Sequence, residues 1–422
     1  MVQKNSHRKS SSLTNHLPVG GVLVIFFAAL LVCGCTSPAV NQGLVIAVED
    51  PAMYNTALDL ATNYQNESGQ RVTVIEVQKG VEKDPGLEKA DLLIADMSGI
   101  YGYAQQGRLK LLNPMLSNNT SVNWTVFESP TLALSGEYPA GSGEIYALPF
   151  SQDALALVYR SDIFNDPNES AVFCQTYGYP IGVPGTYDEL AALASFFNRP
   201  DQGMAGIGFA GLNGSDHDSS PWMSLVSSYG VDVSSPGEMI ESGFNDNAKV
   251  HAAADMLRNL SALEPGGAEG WGDQEVIDAL LSGKTTMAIT WYSLFPKIDD
   301  AAAEKNLSIG FKPLPGEICE GVSHRGIQVR VYGIGVTVGA SDELADSFLN
   351  WFYSPEVQLR YARDGHQPAI LAVIDSPAYL SMNLYNRGFP ESMRVGVTLP
   401  KGSDSEKIRS ACEAGIRRYI QE

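Results

Sequence analysis

Between residues 43 and 98, short apolar runs alternate with one amphipathic helix at a spacing that few architectures accommodate. GLVIAVED (43–50) reads as a buried strand running into a polar turn. AMYNTALDLATNYQNESGQ (52–70) reads as a helix stopped near Gly69, and RVTVIEV (71–77) as a second strand. ADLLIADMSG (90–99) is a third strand, ending in small and polar residues. Strand, helix, strand at this spacing predicts an α/β fold with a parallel sheet under helices. In such sheets ligands bind beyond the carboxyl ends of the strands, which here carry Glu49, Asp50 and Ser98.

The same alternation continues. YALPFSQDALALVYRSDIF (146–164) reads as two apolar strands interrupted by Ser151-Gln152-Asp153. A buried carboxylate is costly unless paired, so the interruption predicts a surface position, a crossing between two lobes. TYDELAALASFFNRP (186–200) is a helix with a Thr186/Glu189 capping box, and NDNAKVHAAADMLRNLSAL (245–263) is another. LSIGFKPLPG (307–316) and VYGIGVTV (331–338) are strands. Helices follow at 341–353 and 355–365, and a closing one at 403–420 has a Ser403/Glu406 box. A chain of 422 residues exceeds what one core fills, so more than one is expected.

Gly283-Lys284-Thr285 imitates the end of a phosphate-binding loop, but that loop requires a glycine where Asp278 stands. The order is also reversed: DQEVIDALLSG (273–283) predicts a helix with Asp273 as N-cap and Gly283 as its stop, and MAITW a strand. Nucleotide binding here is excluded. The formal charge of −20, with no cluster of Lys and Arg, argues against nucleic acid as well.

The first residues carry Lys4, Arg8 and Lys9 without an acid, followed by LPVGGVLVIFFAALLVCG (17–34). This is the pattern of a secretory signal peptide, with an uncleaved membrane anchor as the alternative. Either way the body is expected outside the cytoplasm, held at the membrane. Cys174, Cys319 and Cys412 are too few for a disulfide scaffold; a Cys174–Cys319 bridge would be allowed in an oxidising compartment. Asn-x-Ser/Thr triplets at Asn66, Asn118, Asn123, Asn168, Asn213, Asn259 and Asn306 would permit glycosylation. His217 between Asp216 and Asp218 reads as an exposed loop rather than a metal site, and Trp271 as a packed loop residue.

Val32-Cys33-Gly34-Cys35 resembles the lipobox of secreted lipoproteins, which implies lipid on Cys35 and a short tether over 35–43 after a signal segment, 1–34. From about residue 44 onward, GYAQQGRLKLL, YALPFSQDALALVYRSDIF, TYDELAALA, LLSGKTTMAITWY, FKPLPG, the 342–365 helical pair and HQPAI occur in an order similar to the family 1 extracellular solute-binding proteins, which include the maltose-binding protein. The resemblance implies the two-lobed, periplasmic-binding-protein-like fold of class II. Each lobe would be a mainly parallel sheet flanked by helices, with a cleft between them. Lobe 1 is expected over 44–150 plus 312–355, and lobe 2 over 151–311 plus 356–422. It further implies an ABC importer's binding component that closes on a small solute, a sugar or polyol first, and works with a membrane permease. Family positions place Asp50, Ser98, Tyr101, Asp153, Trp222, Trp291 and Tyr332 at the ligand. Aromatic rings suit the apolar faces of a sugar, and carboxylates its hydroxyls. Replacing Trp291 by Ala is then expected to weaken binding and spare the fold. A monomer without catalytic residues, metal or cofactor is expected. The alternatives are a surface module serving a sensor without transport and, less favoured, a glycoside hydrolase, which needs paired carboxylates.

Overall fold

Three strands open the body: β1 (Leu44–Val48), β2 (Val72–Glu76) and β3 (Leu92–Asp96). The first pairs in parallel with both of the others, as the alternation over 43–98 predicts. The helix Tyr54–Ser68 joins β1 to β2 and ends at Gly69 in the left-handed region, φ 72°. Glycine reaches that conformation without the penalty a Cβ brings. The computed structural model describes residues 43–79, 84–211, 219–233 and 248–398, with Arg409, Ser410, Ala414 and Arg417. The signal segment, the tether with Cys35, His217, Cys412 and most of the closing helix with its Ser403/Glu406 box lie outside the described residues.

The chain has the two-lobed α/β architecture of periplasmic binding proteins. Its further strands include β4 (Ala147–Arg160), β5 (Ala205–Phe209), β6 (Thr285–Trp291) and β7 (Ile309–Pro313). After them come β8 (Glu317–Cys319), β9 (Val322–His324) and β10 (Ile327–Val336). The main sheet runs β2-β1-β3-β10-β4-β6-β5. Of the others, β7 pairs with β4, while β8 and β9 form a separate hairpin. Pairing is parallel in β2-β1-β3 and in β5-β6, and antiparallel where β4 and β10 join the two parts.

Those two strands carry the chain between cores. Leu148 and Phe150 of β4 pack with Leu44, Ile94 and Phe352, whereas Leu155, Leu157 and Val158 pack with Phe197, Ile289 and Trp291. In β10 the change falls between Val331 and Ile334, where the register with β4 shifts at Tyr332/Gly333. A shift of this kind bends a strand locally. Residues 147–160 therefore hold one continuous strand, not two interrupted ones: Ser151-Gln152-Asp153 stay paired to β10 and simply mark the crossing.

Core membership distributes the later segments as follows. Leu314, Ile327, Val329 and Val331 pack in the second core, and Ile334 and Val336 in the first. Val357, Tyr361, Ile370 and Tyr379 pack in the first core, and Tyr385 and Phe389 in the second.

The helix caps match their local signals in most respects. Thr186 caps the helix Tyr187–Phe197 by accepting from Glu189 N at 3.2 Å, but Glu189 reaches back to Gly185 N instead of Thr186. The helix Asp273–Ser282 has Gly272 rather than Asp273 as its N-cap, with the Gly272 N–H donating to Glu275. Gly206 in β5 lies so close to the helix Tyr187–Phe197 that a Cβ would stand 1.9 Å from the Ala194 carbonyl oxygen. Backbone cannot yield as a flexible side chain can. Gly206→Ala is therefore expected to cost about 3 kcal/mol or more, the upper end of overpacking, measured as a lower urea midpoint. An unchanged midpoint would show that β5 and the helix slide apart freely.

Candidate functional site

Asp50 stands just past β1. Its side chain accepts from Ala52 N at 2.9 Å, capping the turn Pro51–Met53, and from the Tyr332 hydroxyl at 2.8 Å. Burial, then the hydrogen bond to Asp50, holds the Tyr332 hydroxyl well above its ordinary pKa. Asp96 ends β3 in the same way: one oxygen accepts from Gly99 N at 2.7 Å, starting the helix Met97–Gln105, and the other meets Lys79 at 2.5 Å. Burial opposes the Lys79 charge, but the carboxylates of Asp96, Glu49 and Asp50 outweigh it and raise its pKa.

Cross-strand register assembles the rest. Tyr332 of β10 lies opposite Asp96 on one side and Ser151 on the other, and Arg330 lies opposite Asp153. One step further, Leu155 of β4 lies opposite Trp291, the last residue of β6. Residues two apart on a strand share a face, so Ser151, Asp153, Arg330 and Tyr332 project from one side of the crossing. Asp153 accepts from Ala154 N at 2.9 Å and from Ser293 N at 3.1 Å. Burial pushes its carboxyl up to about 6, against the opposing hydrogen bonds from Ser293 and the charge of Arg330. The Arg330 guanidinium sits over the Trp291 ring, 3.7 Å from its centroid. The result is a mixed patch of acids, two cations and two rings at the lobe junction. Such a patch can donate to and accept from a polar solute on several sides.

Of the expected ligand residues, the structure therefore brings Asp50, Asp153, Trp291 and Tyr332 into one constellation. Trp291 is only 1% exposed and belongs to the second core, so its replacement cannot spare the fold as expected. Ser98 and Tyr101 lie on the helix that Asp96 starts, both half-buried; Tyr101 meets Tyr138 edge to face at 4.6 Å. Trp222 stands apart from that register. It is buried in the second core on the helix Ser220–Ser228 and lines a cavity of about 580 Å³ with Phe209, Leu257 and Glu264. Glu264 accepts from Phe209 N at 3.0 Å, and burial raises its pKa well above the carboxylate range.

Asp96, Lys79, Arg330 and Ser293 join the site without having been expected there. Two of them leave a readable signal: Asp96 closes a strand as Asp50 follows one, and Arg330 is two residues before Tyr332 in IQVRVYGIGV. The Gly283-Lys284 turn is also resolved. Gly283 takes φ 78° between helix and strand, and the Lys284 ammonium lies 4.9 Å from the centroid of the half-buried Trp271 ring, a cation–π contact rather than a phosphate cradle. Among the described residues Cys174 and Cys319 are free thiols, and no group of three His, Cys, Asp or Glu could hold a metal ion. No described helix is long and apolar enough to cross a membrane.

The family model for bacterial extracellular solute-binding proteins matches residues 58–359. A protein of Sinorhizobium fredii named as a probable amino-acid ABC transporter periplasmic-binding protein is 20% identical over 310 residues, covering 69% of this chain; the chain spans 65% of that relative's length. Among solved structures, the sugar-binding protein MalE of Xanthomonas citri superposes with a TM-score of 0.68 at 14% identity, over 90% of this chain and 95% of that one. An ABC transporter solute-binding protein of Agrobacterium radiobacter K84, in complex with ribitol, gives 0.65 at 17% identity, over 90% and 97%.

Proposed function

Because the chain belongs to the bacterial extracellular solute-binding proteins, a family of binding proteins rather than enzymes, we propose that it captures a sugar or polyol at the β4–β10 crossing for an ABC importer. The observation that carries this reading is the cross-strand row of Asp96, Tyr332, Asp153 and Arg330, with Asp50 held by Tyr332. Carboxylates accept from hydroxyls, and Arg330 and Lys79 donate to them. The site draws groups from both cores, so a solute held there gains its full set of contacts only when the lobes close on it. That difference between open and closed forms drives closure about β4 and β10. Ser98 and Tyr101 extend the first lobe's side of this site. The closed monomer is what a permease would recognise, with the body tethered outside the membrane through lipid on Cys35.

A second reading is an acidic or zwitterionic solute. It is favoured by the Arg330 guanidinium at the crossing and by the name of the Sinorhizobium relative. A thermal-shift screen across sugars, polyols and amino acids separates the two. A ligand at a hundred times its Kd adds about 2.7 kcal/mol of apparent stability. Asp50→Asn is expected to weaken the bound sugar or polyol by roughly 10- to 100-fold in calorimetry, the worth of one hydrogen bond to a charge. A shift with amino acids alone would replace the sugar reading, and no shift with any class would remove it.

A further inference from the structure

The segment between the helices Asn113–Asn118 and Ser129–Gly136 holds an Asn-Trp-Thr triplet, with Asn123 capping the short turn Trp124–Val126. Val122 and Phe127 are buried in the first core, while Trp124 and Thr125 between them are exposed and Asn123 is half-exposed. The segment is thus pinned at both ends with its middle outward. Within it the Asn123 amide oxygen accepts twice from Thr125, from its backbone N–H at 3.0 Å and from its hydroxyl at 2.7 Å. Asn123 Nδ2 donates to the Thr120 carbonyl at 3.3 Å, a weak contact that leaves it displaceable.

The geometry points to Asn123 as an acceptor for an N-linked glycan. The Asn-x-Thr triplet is the acceptor pattern in proteins exported from the cytoplasm. Here the third residue's hydroxyl already hydrogen-bonds the amide oxygen. Two donors on Oδ1 stabilise the negative charge that grows there as Nδ2 gives up a proton, so that proton is more easily removed as the new bond forms. In the transfer, Nδ2 attacks the anomeric carbon of a sugar carried on a polyprenyl diphosphate. The C–N bond forms, the bond from that carbon to the phosphate oxygen breaks, and the lipid diphosphate leaves with the electron pair. The displaced amide proton passes to a base of the transferase.

Three of the other triplets are placed differently. Asn66, Asn168 and Asn259 lie within the helices Tyr54–Ser68, Pro167–Tyr177 and Ala248–Ser261. Residues two apart on a helix do not face each other, and the Ser68 hydroxyl donates instead to the Tyr64 carbonyl.

The inference uses the extracellular placement of the proposed function but not the solute site, so glycan mass and calorimetric solute binding report on the two separately. The test is mass spectrometry of peptides from the full protein purified from its native cells. The peptide around Asn123 is expected to carry a glycan, with fragment ions placing it on that residue. Thr125→Ala is expected to abolish the modification and Thr125→Ser to retain it, both with an unchanged melting temperature because Thr125 is exposed. An unmodified Asn123, a glycan that persists in Thr125→Ala, or glycans on the helical asparagines alone would overturn the assignment.

Discussion

Trp291→Ala is expected to lower the unfolding free energy by about 3–5 kcal/mol, the range for deleting a large buried ring. The indole is 1% exposed and lies among Leu155, Ile289 and Tyr292 in the second core. Truncation leaves a hole that packed neighbours refill only in part. It also strips the Arg330 guanidinium of the ring beneath it, a contact worth about 2 kcal/mol where it is desolvated. Solute affinity should fall too, through Arg330: without the indole, the guanidinium loses one of the contacts that hold it opposite Asp153. Urea titration followed by circular dichroism measures the first effect and calorimetry the second. Trp291→Phe, which keeps an aromatic ring, should recover most of the stability and part of the affinity. An unchanged urea midpoint for Trp291→Ala, with affinity lost, would mean that the ring lines an open cleft and not a core.

That distinction shows what the sequence could and could not reveal. Strand–helix–strand alternation over residues 43–98 was legible because local propensity and core burial agree there: β1 and β3 are nearly all apolar, and Gly69 stops the helix between β1 and β2. Polarity at Ser151-Gln152-Asp153 was legible as a crossing, but not as unbroken strand. Continuity there depends on β10, which lies more than 170 positions away and pairs with those residues. Which core a later segment joins is hidden for a related reason. Leu314 and Val357 are ordinary apolar residues in apolar runs, and only long-range packing decides which core takes them. Aromatic site residues were ambiguous in the same way. An indole at the end of a strand, as in Trp291, or on the first turn of a helix, as in Trp222, reads alike whether it faces a cleft or a core. Arg330 is obscured by the apolar residues around it, which mark the strand's buried face. Its alternation with Tyr332 was nonetheless visible.

A marked pH effect should come from Asp153. Its carboxyl is held at about 6 by burial, above the value of about 3.9 for an unfolded chain. A raised carboxyl means that the folded protein binds the proton more tightly. Its stability contribution is therefore greatest below the unfolded value, declines as pH rises from about 4 to 6, and is lost above that. The gap between the folded and unfolded values corresponds to a decline on the order of 3 kcal/mol. Asp153→Asn keeps an oxygen for Ala154 N and Ser293 N but carries no charge at any pH, so the variant should escape this decline. Relative to the native protein it should gain stability between about pH 4 and pH 7. Glu264, whose pKa burial also raises, is present in both proteins and cancels from the comparison. The same titration bears on capture. With the carboxylate ionised above about 6, Asp153 can accept from a solute hydroxyl and balance Arg330; once protonated it can do neither as well. Affinity for a neutral solute should therefore drop as pH falls through about 6 in the native protein and stay level in Asp153→Asn, which would bind more weakly throughout. Parallel pH profiles for the two proteins, in both unfolding and calorimetry, would remove Asp153 from the titrating centre of the crossing and leave it a strand residue that happens to cap Ser293.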